Sequence, residues 1–177
     1  LPVQKERLAE YTVNPAQMVF RDSTSLSSLG AMTDVLRLQK PVMEQTGDGH
    51  TLFSVSADTY TRLSSVSALW GTATFTTGKY DNIRWSDCID YERIAPYVLG
   101  DEAGGDLSTR RYTFGGGYSK KHGRWTAGID ASYRAEIAWR NHDPRIKTIV
   151  SDLDVRIGGA RVLGSGSLGL SLALNIY

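Results

Sequence analysis

The chain has 177 residues, room for one domain with a real core, and a formal net charge of +1 without any block of like charge. That balance excludes a nucleic-acid arm or another polyelectrolyte-binding surface. Its one cysteine excludes an internal disulfide, and no run comes near the ~18 apolar residues of a membrane helix.

Residues 1–22 read as an irregular arm of mixed charge, with a turn signal at Asn14-Pro15-Ala16. Ser25 to Leu38 alternates only in part, through Leu26, Ser28, Gly30 and Met32 and then Val35, Leu36 and Leu38. The slip near Thr33-Asp34 predicts a β-bulge. Lys40-Pro41 ends this first strand, and residues 44–49 form a loop. Thr51 to Arg62 is the second strand, with Phe53, Val55, Ala57 and Thr59 on one face and Ser54, Ser56, Asp58 and Arg62 on the other. Leu63-Ser64-Ser65 turns into a third, Val66 to Lys79, where Leu69, Gly71, Ala73 and Phe75 oppose Trp70 and several threonines. Residues 80–109 have no regular period and carry Trp85, Tyr91 and Tyr97, so they predict a long polar loop. In the fourth strand, Arg111 to Ser119, the residues Tyr112, Phe114, Gly116 and Tyr118 oppose Arg111, Thr113, Gly115 and Gly117. Lys120-Lys121-His122-Gly123 is a short turn.

The fifth strand, Trp125 to Trp139, has the clearest pattern. Trp125, Ala127, Ile129, Ala131, Tyr133, Ala135, Ile137 and Trp139 form one face; Thr126, Gly128, Asp130, Ser132, Arg134, Glu136 and Ala138 form the other, and Arg140 follows. A helix would scatter these charges with no apolar stripe. The run is about three times the usual strand of five or six residues. Asn141-His142-Asp143-Pro144 is a turn signal. The sixth strand, Thr148 to Val162, sets Ile149, Leu153, Val155 and Ile157 against Asp152, Asp154 and Arg156. Gly164-Ser165 is a two-residue hairpin turn. The seventh strand, Ser167 to Tyr177, sets Leu168, Leu170, Leu172, Leu174 and Ile176 against Ser167, Gly169, Ser171, Ala173 and Asn175.

Long two-faced strands joined by alternately long and short connections predict an all-β fold, an antiparallel up-and-down transmembrane β-barrel. Residues 1–22 are then a periplasmic N-terminal arm, whose Tyr11, Val13, Met18 and Phe20 pack against or plug the barrel mouth, or simply pack the arm on the surface. Residues 23–177 supply the barrel strands, and 80–109 is an extracellular loop. Aromatic side chains at Trp125, Tyr133, Trp139, Tyr112, Phe114 and Tyr118 form a lipid-facing girdle. Trp125 marks the periplasmic interface, and Trp139 and Arg140 are expected to project past the outer surface. Asp58, Asp130, Arg134, Glu136, Asp152, Asp154 and Arg156 face the lumen. If Arg134 pairs with Asp152, Asp130 falls opposite Arg156; a shifted register gives Arg134 with Asp154 instead. The signs nearly balance, so an ion-pair ladder is the plainer reading beside a charged channel lining.

Chemistry-bearing constellations are weak. His50 and His142 belong to the outer end and His122 to the periplasmic end, so the histidines do not converge on a metal. Asp87-Cys88-Ile89-Asp90 is a thin ligand cluster, and a lone loop cysteine is the plainer reading. His142 with Asn141 and a nearby serine is the most that a membrane-embedded hydrolase would have. No phosphate loop or nucleotide fingerprint occurs, and Gly115-Gly116-Gly117 reads as close packing inside a strand. No metal and no cofactor is expected.

Asn14-Pro15-Ala16 with the serine-rich entry to the first strand, the run Tyr112-Thr113-Phe114-Gly115-Gly116-Gly117-Tyr118, and the fifth strand carry a resemblance. The chain resembles an uncharacterised family of Bacteroidota outer-membrane β-barrel proteins found beside TonB-dependent receptor systems. The resemblance implies an exported chain with its signal peptide removed, a place in the outer membrane's lipid bilayer, and a loose link to transport proteins such as a TonB-dependent receptor. It implies no site residue. Seven strands is an odd number where single-chain bacterial barrels have an even one, so the barrel is expected to be incomplete, the N-terminal part of a larger one, with the missing strands beyond Tyr177 or supplied by another chain. The expected function is a channel or a structural subunit of an envelope transport complex, without catalytic chemistry. The alternatives are a soluble lipocalin-like ligand-binding barrel and a membrane-embedded acyl hydrolase.

Overall fold

Seven strands pair in chain order, each antiparallel to its neighbours, in the computed structural model, which describes residues 14–21, 24–94, 100, 102–140, 147–164 and 166–177. They are β1 (Leu26–Arg37), β2 (Gly49–Ser64), β3 (Ser67–Ile83), β4 (Gly105–His122), β5 (Trp125–Arg140), β6 (Lys147–Leu163) and β7 (Gly166–Ile176). The sheet is all-β and up-and-down. It is not closed: β1 and β7 each have one edge without a partner strand among the described residues.

Several expectations are corrected. The 80–109 loop is shorter, because β3 continues through Tyr80 to Ile83 and β4 begins at Gly105. The added residues extend the β3–β4 ladder, with Tyr80 opposite Leu107 and Lys79 opposite Ser108. The turn placed at Lys120–Gly123 is the Gly123-Arg124 pair, since Lys120, Lys121 and His122 pair with Ala127, Thr126 and Trp125. No bulge occurs at Thr33-Asp34; β1 pairs without interruption from Leu26 to Arg37. As an edge strand exposed along its whole length, β1 has no cover to enforce alternation. The ladder irregularities fall instead between Arg62 and Ser64 and between Tyr80 and Ile83. Tyr11, Val13, Tyr97, the 141–144 turn and Ser165 lie outside the described residues.

Burial is inverted relative to a water-soluble sheet. Asp130, Glu136 and Asp152 are 8%, 3% and 7% exposed, while Ile149 and Leu170 are 73% and 74% exposed. Two segments cover the polar face. A 3₁₀ helix, Pro15–Phe20, lies over β3, β4, β5 and β6 near the end with the short turns. The connection after β3 folds onto the same face nearer the other end, and includes a one-turn helix, Tyr91–Ile94. Small apolar clusters form beneath them: Met18, Tyr60 and Ala68 with Trp70 at one end, and Ile83, Leu107 and Ala138 with Tyr80 and Ile89 at the other.

Candidate functional site

The polar face gathers nearly all of the predicted lumen charges into one ladder. β5 and β6 pair Arg134 with Asp152 and Asp130 with Arg156. Of the two registers open at the sequence level, this one places opposite charges directly across the strands. Arg156 grips Asp130 with two bonds, Nε to Oδ1 at 2.8 Å and Nη2 to Oδ2 at 2.9 Å. Arg111 grips Glu136 in the same way, at 2.8 and 3.1 Å, and Thr109 Oγ1 donates to Glu136 Oε1 at 2.7 Å. Bidentate pairs of this kind are the strong members of the hydrogen-bond family. Arg134 stands between Glu136 at 3.2 Å and Asp152 at 3.4 Å. Asn175 Nδ2 donates to both Asp152 and Asp154, at 2.7 and 2.8 Å, which ties β7 to the ladder. Asp58 is separate: it lies on the polar face of β2, between Ser28 and Thr72.

The loop after β3 adds a second tier. Asp87, Asp90 and Arg93 recur at steps of three, and each meets an opposite charge on the sheet. Asp87 accepts from Arg140 Nε at 2.5 Å, Asp90 pairs with Arg134, and Arg93 donates to Asp152 at 2.7 Å. Burial pushes Asp90 up, but the bonded Arg134 guanidinium outweighs it and holds the carboxyl below its ordinary value. Tyr177 OH donates to Asp90 at 3.3 Å, and the Arg93 guanidinium stacks 4.8 Å from the Tyr177 ring.

Arg140 does not project freely: it is 2% exposed, covered by the connection after β3. Besides Asp87 it donates to the carbonyls of Gly105 at 2.8 Å, Ile83 at 3.2 Å and Ser86 at 2.8 Å. It thus knots both ends of the β3–β4 connection to β5. Its even position on β5, in step with Arg134 and Glu136, was the available signal. The three-residue spacing of Asp87, Asp90 and Arg93 was a second.

Asp87 and Asp90 are therefore spent on arginines rather than converging on a metal with Cys88, and no metal-ligand cluster occurs among the described residues. Cys88 is buried beside Ser86, and burial pushes its thiol up, away from the reactive thiolate. Trp85 donates to Glu44 at 3.0 Å, so this loop aromatic folds onto the neighbouring loop. Of the histidines, His50 bonds Asp34 at 3.1 Å on the polar face, His122 ends β4 at the opposite end, and His142 lies outside the described residues.

The 3₁₀ helix is held differently. Tyr60 OH donates to the Met18 carbonyl at 3.0 Å, and Arg62 donates to the Val19 carbonyl. Asn14 caps the helix by accepting from Ala16 N at 3.0 Å, and its amide donates to the Gly159 and Leu170 carbonyls, both at 3.3 Å. The segment thus reaches from β2 to β7. Gly128 and Gly158 form its seat, because a Cβ at either would run into Pro15 or Asn14.

The opposite face carries the predicted aromatic set. Trp125, Tyr133, Tyr112, Phe114 and Tyr118 are exposed there, and Trp139 is half-buried. An arginine stacks on the tryptophan at each end of β5: Arg161 lies 5.3 Å from the Trp125 ring and Arg110 lies 5.4 Å from the Trp139 ring.

Comparison with curated proteins and with solved structures gives no match. A family model described as a family of unknown function, DUF6850, matches residues 15–177, from the start of the 3₁₀ helix through all seven strands. The chain therefore belongs to the DUF6850 family.

Proposed function

We propose that this chain is the wall of an outer-membrane β-barrel, acting as a structural subunit of an envelope transport complex or as a channel whose lumen is filled by its own inserted segments. The observation that carries this reading is the inverted burial: charges are covered and large apolar side chains are bare. Lipid is the solvent in which that arrangement is favourable.

The dimensions agree. Ala127 to Ile137 is ten steps of β5 bounded by the two tryptophans, about 34 Å along the strand at about 3.4 Å per residue. Tilted by about 40°, that is about 26 Å along the membrane normal, against an apolar band of about 25 Å in outer-membrane barrels. Trp125 and Trp139 then lie about 36 Å apart along the normal, between the ~30 Å hydrocarbon core and the ~40–45 Å bilayer with headgroups. Each tryptophan–arginine pair falls in an interface, which suits an aromatic ring with a cation on it.

In lipid, the open edges of β1 and β7 would leave backbone groups unpaired at several kcal/mol each. Further strands that continue the sheet and close it therefore belong to this reading. So does export, and so does an outer-membrane transport protein, such as a TonB-dependent receptor, as partner. The filled polar face favours the structural role over an open channel. A soluble lipocalin-type barrel would need Ile129, Ile137, Leu170 and Leu172 around an enclosed ligand, whereas they lie on the face away from both inserts. The test is fractionation of the protein expressed with its export signal. Retention in the outer membrane after a urea wash, with a heat-modifiable band in SDS gels, is the expected result. A monomer that stays soluble without detergent would sink the proposal.

A further inference from the structure

The apolar face ends, at the short-turn side of the sheet, in two rows set by the register. One is His122, Trp125, Arg161 and Leu168; the other is Lys120, Ala127, Gly159 and Leu170. Lys120, His122 and Arg161 are exposed on this face, and neither row contains a carboxylate. Among the described residues no carboxylate pairs with Lys120 or Arg161; the guanidinium of Arg161 rests on the Trp125 ring. Beside them a groove of about 770 Å³ opens between Trp125, Ile157, Arg161, Leu168, Leu170 and Leu172. Gly159 forms its floor, because it has no side chain to fill the space. The volume lies within the ~300–1,000 Å³ of ordinary small-ligand sites.

A cation at one end of a bare apolar trough is the complement of an amphipathic anion. We propose that this groove binds a phospholipid with a net anionic headgroup. An acyl chain lies over Gly159 against Ile157, Leu170 and Leu172. The phosphate sits at Arg161, and the Trp125 ring lies at the level of the glycerol. A soluble phosphate would use the cations and leave the trough bare. The inference rests on the membrane reading, with the turn side of the sheet as the leaflet where the lipid is held.

The experiment is native mass spectrometry of the full-length protein extracted in detergent and titrated with phosphatidylglycerol or phosphatidylcholine of identical acyl chains. The expected result is about fivefold tighter retention of phosphatidylglycerol, the effect of one basic residue near a lipid phosphate. Arg161→Ala should abolish that preference while phosphatidylcholine is still retained. Gly159→Leu should weaken both lipids; a Cβ there meets only the Thr126 carbonyl, at 3.8 Å, so the sheet accommodates it. Equal retention of the two lipids, a preference that survives Arg161→Ala, or unchanged binding in Gly159→Leu would each overturn the proposal. A membrane-inserted protein without lipid preference overturns this inference alone. A protein that holds no lipid and needs no detergent overturns the membrane reading with it.

Discussion

The two segments on the charged face are held by different physics. The 3₁₀ helix is anchored mainly through its backbone: Tyr60 and Arg62 donate to its carbonyls, Asn14 donates to the sheet, and Met18 packs with Tyr60, Ala68 and Trp70. The loop from Arg84 to Ile94 is anchored by ion pairs through Asp87, Asp90 and Arg93. Hydrogen bonds to carbonyls and apolar contacts are indifferent to pH and nearly so to salt. Ion pairs depend on the charge of their carboxylate, and the pair made by Arg93, whose side chain is 43% exposed, is also screened by salt. One end of the face therefore has a fixed cover, and the other a cover that solution conditions can loosen.

Breaking Arg140 should separate the two ends most sharply. Arg140→Ala leaves Asp87 and three carbonyls without their donor, a loss of about 3–5 kcal/mol for an uncompensated buried charge. Cys88, the only cysteine, is 2% exposed beneath this loop. Its maleimide labelling should change from slow to rapid, while the fluorescence of Trp70, read in a background with Trp85, Trp125 and Trp139 replaced by phenylalanine and reporting on the helix end, stays unchanged.

Gly158→Val is the converse. Its side chain would occupy the place of Asn14, and overpacking of this kind costs about 1–3 kcal/mol. Trp70 emission should shift to the red as Met18 lifts away, with Cys88 labelling unchanged. If both reporters move together in either variant, the segments are coupled and the contrast between them fails.

Asp90→Asn is expected to be milder, since Arg134 keeps Glu136 and Asp152. Cys88 labelling should rise a few-fold at neutral pH. In the parent, the Asp90 carboxyl is held below its ordinary value of 3.8. Its contribution to docking is thus fully present above that value and is lost as the pH falls through the lowered one. Labelling with an acid-compatible thiol reagent should rise only below about pH 4, and Asp90→Asn should remove this step. A labelling rate flat across that range would show that Asp90 does not hold the loop.

Much of the sheet was legible in the sequence because a strand's period of two is local. β5 and β7 showed it without interruption, and the balanced charges of β5 and β6 contained the register that pairs Arg134 with Asp152. The tier above the sheet was not legible. Asp87 and Arg140 are fifty-three residues apart, and only the folded β3–β4 connection brings them together. The ends of β3 and β4 were hidden for a related reason. Tyr80, Ile83 and Leu107 pack under the loop on the polar-face side, so apolar residues there break the alternation that marks the rest of the strand. β1 misled in the opposite direction, since an uncovered edge tolerates apolar residues on either face.

The central claim is that the apolar face meets lipid and the charged face does not. The most direct measurement is a nitroxide scan of β5 in phospholipid vesicles, with Cys88 replaced by serine and single cysteines placed at 127, 129, 130, 131, 132 and 133. Collision with dissolved oxygen, which concentrates in the bilayer, should be high at the labels on 127, 129, 131 and 133 and low at 130 and 132, with a water-soluble nickel reagent excluded from the first set. High nickel accessibility at 127, 129, 131 and 133, or no alternation along the strand, would contradict the account.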